Sequence, residues 1–543
     1  MTKWEIIHKN KSQKTKIKSD EIIQILLQNR GIKTKRQQEK FLNPKLAEVT
    51  WENVGINKSQ LLKTVKRINA AIKHDEQIVV FGDYDVDGIC GSAILWETLN
   101  RAGAKVLPYI PNRIDEGYGL SVNAVSNLKS QIPNVKLIIT VDNGIVAQKP
   151  VKYAKSLGID VIITDHHVPG KTLPIAFSIV HTTKLCGAGV AYMLSLALGS
   201  PSNSHLELVV LATIADLVSL KDANRTFVKF GLAKLHETER PGILALCKEA
   251  GININQVGVY EIGHIIAPRL NAMGRLDSAM DSLRLICTLD PTRAKELAFK
   301  LGLTNKERQQ VTEEATLHAR QFVRNQGTLG NLLFVSDKSY QQGVIGLVAG
   351  KLVEEFYLPS IVVSEGKTYS KASARSIAGF NIVEFIRSSS DILVDVGGHP
   401  MAAGFTVETK KISLLKKRLT REARKFINED IKKKTLKIDC ELNFPSLTQK
   451  FYDQIQTLAP FGVGNSQPVF ISKDVLVANA RRVGNDKHLK LKLSQDGKIF
   501  DAIFFAIGER NINTGDKIDV VYLLDENIWN GNKSLQLKIR DFK

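Results

Sequence analysis

Gln77–Gly88 reads QIVVFGDYDVDG, and this stretch decides the fold. Its first half is a short run of apolar, mostly β-branched residues, the composition of a strand buried on both faces. Its second half places three carboxylates, Asp83, Asp85 and Asp87, on alternate positions where that strand ends. Gly88 then opens GICGSAILWETLNRAG, whose apolar residues recur at helical spacing. A strand, an acidic loop and a helix make the first half of a βαβ unit, and in doubly wound sheets ligands bind at the carboxyl ends of the strands. Carboxylates this crowded repel one another unless a cation neutralises them, which a hard divalent ion does well. The other readings are an acidic capping turn and a calcium loop. An EF-hand, however, needs a helix on each side of its loop, and here a strand comes first.

Outward from this point the rhythm repeats. AKVLPYI, VKLIITV and IDVIIT read as further strands, with helix-like stretches between them, which predicts a parallel, doubly wound sheet. LIITVDNG ends on Asp142, and DVIITDHHVPG ends on Asp165, His166 and His167. LATIADLVSL is read the same way, with Asp216 at its terminus. One Asp after a strand is usually a helix cap; four such termini converging on one sheet edge are not explained by capping. Carboxylates with imidazole and no cysteine suit Mn2+ or Mg2+ better than structural Zn2+. There are enough ligands for two ions bridged by a shared carboxylate, an arrangement that activates water and stabilises a phosphoryl transition state.

The rest of the chain frames that sheet. At 543 residues it holds about three or four modules. Residues 1–56 read as a basic, irregular N-terminal extension with a helical patch near Glu21–Asn29, and 57–235 as the sheet-bearing domain. Residues 236–328 read as a helical connector ending in a long, charged helix over Asp290–Asn325, and 329–436 as a second α/β domain. In 437–543, QPVFIS, DVLVANARRV, HLKLKLS, KIFDAIFFA, KIDVVYLL and SLQLKIRD alternate with turns, the pattern of a small OB-type barrel. Lys+Arg 75 against Asp+Glu 55 leaves a net charge of +20, which fits either a nucleic-acid partner or a Lys-rich surface. No apolar run is long enough to span a bilayer and no secretory leader is recognisable. Five scattered cysteines without a CxxC predict a reducing cytoplasm rather than a disulfide framework.

GDYDVDG, VDNG, TDHH and ATIADLVSL, in that order, resemble the four motifs of the DHH phosphoesterase superfamily. PNRIDEGYG, CGAGVAYML, APRLNAMGRL, GVIGLVAGKL, SARSIAGFN, GGHPMAAGF and PFGVGNSQPVF narrow the resemblance to the RecJ family of single-strand-specific exonucleases, over nearly the whole chain from about residue 60. The resemblance implies a DHH domain, a long connecting helix, a DHH-associated domain and the barrel. It implies 5′→3′ removal of nucleoside 5′-monophosphates from single-stranded DNA with two Mn2+ or Mg2+ ions, in recombination and repair. A single-strand-binding protein and a helicase are the partners it suggests.

The same resemblance distributes roles among residues. Asp85, Asp87, Asp142, His166 and Asp216 become metal ligands, with Asp142 the bridge and Asp83 a ligand or a partner of one. Asp165 orients an imidazole, and His167 faces the scissile phosphate or is held as a hydrogen-bonded neighbour of the ligands. Arg113, Arg275, Arg375 and Ser376 become DNA contacts, and His399 either a phosphate donor or a turn histidine. Tyr118, Phe380 and Trp529 are candidates for base stacking, with core packing as the other reading. Three departures stand out. Tyr340-Gln341-Gln342 replaces a Trp-His-Pro-like triplet, Phe81 stands where the family often has His, and His181–Leu185 is a shortened loop. Phe81 leaves one ion with one nitrogen ligand fewer. The alternatives are a DHH phosphoesterase for short oligonucleotides or nucleotides, and a non-catalytic nucleic-acid-binding relative. The barrel argues against the first and the intact acidic motifs against the second.

Overall fold

The computed structural model describes residues 2–8, 19–112, 116–117, 119–327, 329–506, 510–529 and 531–543, with only the backbone at Trp529. The chain divides into two compact units. The larger is Val49–Asp216 with Phe227–Lys434, and the smaller is Met1–Glu48, Leu217–Thr226 and Thr435–Lys543.

After β1 (Lys3–His8), which belongs to the smaller unit, come β2 (Gln77–Gly82), β3 (Val106–Tyr109), β4 (Val135–Val141), β5 (Asp160–Asp165) and β6 (Ser178–His181). These five form an all-parallel sheet in the order β3-β2-β4-β5-β6. The chain runs from β2 to one side and returns to the other, so the crevice between the ends of β2 and β4 is the topological switch point, where such sheets bind ligands. Val79, Phe81, Ile138, Val161 and Ile163 bury one layer against Ala124, Val125, Val151 and Ala154 of two flanking helices. Helices Val86–Arg101, Gly187–Ala197 and Leu206–Ala215 are buried almost all round, as uniformly apolar helices are.

The long helix forms as its spacing predicts. It spans Pro291–Arg324, 34 residues and about 50 Å, starting with an Asp290 cap onto Thr292 N–H and proline in its first turn. Its first half buries Leu297, Ala298 and Leu301; its last turns put Ala315, Ala319 and Val323 into the core of the second lobe, against Leu333 and Val335. That lobe holds β7 (Leu333–Asp337), β8 (Ser360–Ser364), β9 (Tyr369–Arg375), β10 (Leu393–His399) and β11 (Ala402–Glu408), ordered β10-β11-β9-β8-β7. The Lys- and Arg-rich helix Ile412–Phe426 buries Ile412, Leu415, Leu419 and Ala423.

In the smaller unit β13 (Phe470–Val483), β14 (His488–Gln495), β15 (Lys498–Phe504), β17 (Asn532–Phe542) and β16 (Lys517–Trp529) pair in that order, and β16 pairs back onto β13 to close a five-stranded barrel. The N-terminal stretch is not an irregular extension. β1 pairs in parallel with β12 (Thr435–Glu441), Lys3 opposite Thr435, and β12 lies parallel to β13. Helix Ser19–Asn29 sends Ile22, Ile25, Leu26 and Leu27 into the same core as Phe444, Phe451, Phe470 and Tyr522. From Val49 the segment belongs to the larger unit, where the Trp51 indole N–H donates to Met193 O at 3.2 Å. All five cysteines are free thiols, and no helix among the described residues is long and apolar enough to cross a membrane.

Candidate metal centre

The acidic loop is shaped by its own carboxylates. Asp85 caps helix Val86–Arg101, its Oδ1 accepting from Asp87 N–H at 3.0 Å and Gly88 N–H at 3.1 Å. Asp87 is buried at the start of another helix, accepting from Gly187 N–H and Ala188 N–H at 2.6 Å each, where the helix dipole favours an anion. Asp142 follows β4 in the left-handed region, at φ 63°, with its N–H pinned to Thr164 O at 3.0 Å. Gly187 leaves it room: a Cβ there would lie 2.6 Å from Asp142 Cβ. Asp216 corrects one expectation, since it follows the apolar helix Leu206–Ala215 rather than a strand. A short apolar run reads equally as buried strand or buried helix, and periodicity alone does not separate them.

These elements bring the predicted ligands together. His166 Nε2 lies 3.1 Å from Asp142 Oδ1, 3.6 Å from Asp87 Oδ2 and 3.7 Å from Asp216 Oδ2. Three ligand groups result, Asp83–Asp85–Asp142, Asp87–His166–Asp216 and Asp142–His166–His167, each with its ligand atoms within 4.8 Å of one another. Asp142 and His166 each belong to two of them. Asp142 Oδ1 is buried and accepts no hydrogen bond among the described residues, although His166 Nε2 is close. An oxygen and a ring nitrogen this close could serve as two ligands of one cation. Burial, then the charges of Asp87, Asp85, Asp83 and Asp165, push the Asp142 carboxyl well above the usual range. Burial also raises Asp87, and burial with the Asp87 and Asp85 charges lifts Asp216 to about 8. His166 is lowered, chiefly by burial, which favours the neutral, ligating imidazole. A site this rich in oxygen donors, with imidazole nitrogen and no thiolate, fits Mn2+ or Mg2+.

Asp165 orients His167. Its Oδ1 accepts from His167 Nδ1 at 2.8 Å, His166 N–H at 2.7 Å and His167 N–H at 3.1 Å, and its Oδ2 from Ile145 N–H at 2.9 Å. Burial alone would lower the His167 imidazole, but the Asp165 hydrogen bond and charge outweigh it and raise it to about 9. Asp165 itself is lowered: burial would raise it, and the bonds from His167 and the backbone prevail. His399, from the β10–β11 turn of the second lobe, stacks on His167 with centroids 6.1 Å apart and planes at 20°.

The other sequence candidates divide. Arg275 donates to Gly343 O at 2.9 Å, and Arg375 to Ala374 O at 2.9 Å and Ser373 Oγ at 3.1 Å, so both guanidinium groups are oriented by the chain. Ser376 is buried and its hydroxyl donates to Phe380 O, bracing the turn rather than facing open space. Phe380 is a core residue packed on Phe385, not a base platform. Arg113, Tyr118 and the Trp529 side chain lie outside the described residues. Phe81 is fully buried and stacks on Tyr109 at 5.4 Å, and Tyr340 is buried with its hydroxyl 2.8 Å from His318 Nδ1. Sequence reasoning missed two supports. Asn271 Oδ1 accepts from Val86 N–H at 3.0 Å, and Gly274 sits where a Cβ would collide with Tyr84 O, so helix Ala267–Leu276 holds the acidic loop. Their only signal was the matched stretch APRLNAMGRL.

A parallel sheet with its acidic and histidine motifs around one switch point, a second α/β lobe across a long helix, and a five-stranded barrel define a DHH-type protein with an added OB-type barrel. Family models match as the DHH family N-terminal domain over residues 77–219, the DHHA1 domain over 329–433 and the RecJ OB domain over 438–541. The chain is 36% identical to the single-stranded-DNA-specific exonuclease RecJ of Bacillus subtilis, over 99% of this chain and 70% of that one. Crystal structures of RecJ from Thermus thermophilus are similar too. The Mn2+ complex has a TM-score of 0.83 at 29% identity and covers 96% of this chain and 76% of that one. The Mg2+ complex scores 0.77 at 28% identity over 96% and 74%. The chain belongs to the RecJ family.

Proposed function

We propose that this protein is a single-stranded-DNA-specific exonuclease that removes nucleoside 5′-monophosphates from the 5′ end. The observation that carries the reading is the set of overlapping ligand groups sharing Asp142 and His166 at the sheet's switch point, in a RecJ-family chain. Asp83, Asp85, Asp87, Asp142, His166 and Asp216 would hold the two ions, Mn2+ or Mg2+, and Asp142 belongs to more than one of the ligand groups. Such ions lower the pKa of bound water and stabilise charge on the attacking and leaving oxygens.

The protein's own groups do the rest. Water adds to phosphorus as the bond to the terminal nucleotide's 3′ oxygen breaks, leaving the phosphate on the next nucleotide. The leaving oxygen needs a proton. His167, kept protonated by Asp165 with its pKa near 9, is suited to donate to that oxygen or to a non-bridging one. His399 faces the same place from the second lobe, and Arg275 and Arg375 hold strand phosphates by charge-assisted hydrogen bonds. The barrel holds strand further from the cut by a positive groove and base stacking. A role in recombination and repair, in the cytoplasm, beside a helicase and a single-strand-binding protein, goes with this reading.

A phosphoesterase for short oligonucleotides or nucleotides would have no use for the barrel. A non-catalytic relative would have no reason to keep the full ligand set. The test is a digest of end-labelled single strands with and without Mn2+, carrying 5′ or 3′ blocking groups. Release of mononucleotides that needs Mn2+ and stops with a 5′ block is expected; metal-independent or 3′-initiated release would overturn the reading.

A further inference from the structure

Arg225 is the largest fully buried side chain among the described residues, at 1% exposure. Its donors go to backbone carbonyls: Nε to Phe41 O at 2.8 Å, Nη1 to Leu458 O at 2.9 Å and Nη2 to Ala459 O at 2.8 Å. The Phe41 ring lies 3.7 Å from the guanidinium carbon. No carboxylate among the described residues is within ion-pair distance of it. Burial and then the charge of Arg30 pull its pKa down to about 10. The carbonyl dipoles satisfy its hydrogen bonds but leave its charge uncompensated, and a buried charge is costly without a counter-charge.

Beside it, still within the smaller unit, is a cavity of about 350 Å³ lined by Arg30, Lys40, Lys221 and Arg225, with Asp222 the one carboxylate in the lining. Asp439 offsets Arg30 from outside the lining, at 3.5 Å. Four cations against these two carboxylates leave an excess of two positive charges. Lys40 and Lys221 are exposed, so their ammonium groups are mobile donors at the mouth of a pocket whose wall is already cationic. The volume suits one phosphate with its sugar and excludes a duplex.

We propose that this pocket is a phosphate-binding site, formed around Arg225 and closed over the oxyanion by Lys40 and Lys221. The inference rests on the nuclease reading, which makes a phosphodiester chain the protein's substrate. Two sources share the chemistry: a phosphodiester of the bound strand, and free phosphate or a released mononucleotide.

The test uses the full chain with Lys40→Glu and Lys221→Glu combined, beside Lys40→Arg with Lys221→Arg. All four changes are at exposed positions, and circular dichroism checks the fold. Binding of a long labelled oligothymidylate is followed by anisotropy across a salt series. Thermal stabilisation by inorganic phosphate and by thymidine monophosphate is read in parallel. If the strand fills the pocket, charge reversal weakens its binding roughly tenfold at low salt and lowers the salt slope by about 0.7 for each phosphate no longer neutralised, while the arginine pair behaves as wild type. If free phosphate is the ligand, charge reversal removes the thermal stabilisation and leaves the strand slope alone. Reversal that changes neither overturns the proposal. A wild-type protein that cleaves strands with Mn2+ while both readouts stay unchanged removes only the pocket; one that cleaves nothing removes the nuclease reading itself.

Discussion

Gly187→Ala removes no ligand and adds one methyl group at the start of a helix, yet the structure makes it a severe change. That methyl would lie 2.6 Å from Asp142 Cβ and 2.8 Å from its Cγ and Oδ1. Ordinary contact begins at 3.4 Å, so the two must part by about 0.8 Å. Asp142 cannot easily retreat, because its left-handed backbone is tied to Thr164 O. Gly187 cannot either, because its N–H and that of Ala188 hold Asp87. The displacement therefore falls on the two carboxylates at the centre of the site. A misplacement near 1 Å costs about 10²-fold in rate, and that factor corresponds to about 2.7 kcal/mol of transition-state stabilisation. Alanine is the better helix former by up to ~1 kcal/mol, which partly offsets the ~1–3 kcal/mol of overpacking, so the fold survives. The assay is kcat/KM with Mn2+ on a short single strand, with a melting curve beside it. Gly350→Ala is the control: it is helical too, but a Cβ there meets nothing within 4 Å, and it should leave the rate unchanged. A folded Gly187→Ala protein with wild-type rate would refute the placement of Asp142 at the centre of the chemistry.

Asp165→Asn removes the charge that raises His167, so the imidazole should titrate well below its present value of about 9, by ring NMR of the metal-free protein; a midpoint still near 9 would contradict the pairing. Stability of the metal-free protein should fall as pH rises from about 4 to about 8. Asp87, Asp142 and Asp216 all have folded pKa values above their ordinary ones, so the stability they contribute is present at low pH and lost on passing through the raised values, Asp216 near 8. His166 and Asp165 oppose this only on the acid side, and Mn2+ should raise the melting temperature most at the alkaline end. Arg240→Ala should destabilise the larger unit by about 3 kcal/mol in urea unfolding, because it strands the buried Glu207 (2.7 Å) and leaves Glu97 (2.7 and 2.8 Å) with His205 alone, at 3.0 Å; a loss under ~1 kcal/mol would show the network to be solvent-screened.

The parallel sheet and most of the site were legible because their signals are local. Asp83, Asp85 and Asp87 lie in the loop and first helical turn after one short β-branched run, and Asp142, Asp165 and His166 at the ends of two others, and the alternation of such runs with helix-like stretches marked them as strands. Asp216 was found as a residue but misread as an element, since LELVVLATIA is apolar on every side. What stayed hidden depends on partners distant in sequence. β1 finds its partner at Thr435, and nothing in KWEIIH announces a parallel neighbour that far along. Gly187 holds Asp87 through its backbone N–H and leaves Asp142 room by its shape, and Asn271 accepts from Val86 N–H with a side-chain oxygen 185 residues away; neither announces its partner in the sequence. Phe380 was a stacking candidate by its ring alone, with core packing as the other reading, and it lies in the core; the hydroxyl of Ser376, a DNA-contact candidate by resemblance, donates to Phe380 O. Arg225 gave no sign at all: in DANRTF it reads as one more surface charge.

The shared position of Asp142 is the claim on which the mechanism depends, and counting bound metal tests it most directly. Equilibrium dialysis of Mn2+ against wild type and Asp142→Ala, with hydrolysis of a labelled single strand measured on the same samples, should give two ions per chain in the wild type. In the variant both tight sites and strand hydrolysis should be lost, with the fold retained. Two ions still tightly bound by a folded Asp142→Ala protein that cleaves near the wild-type rate would contradict the account.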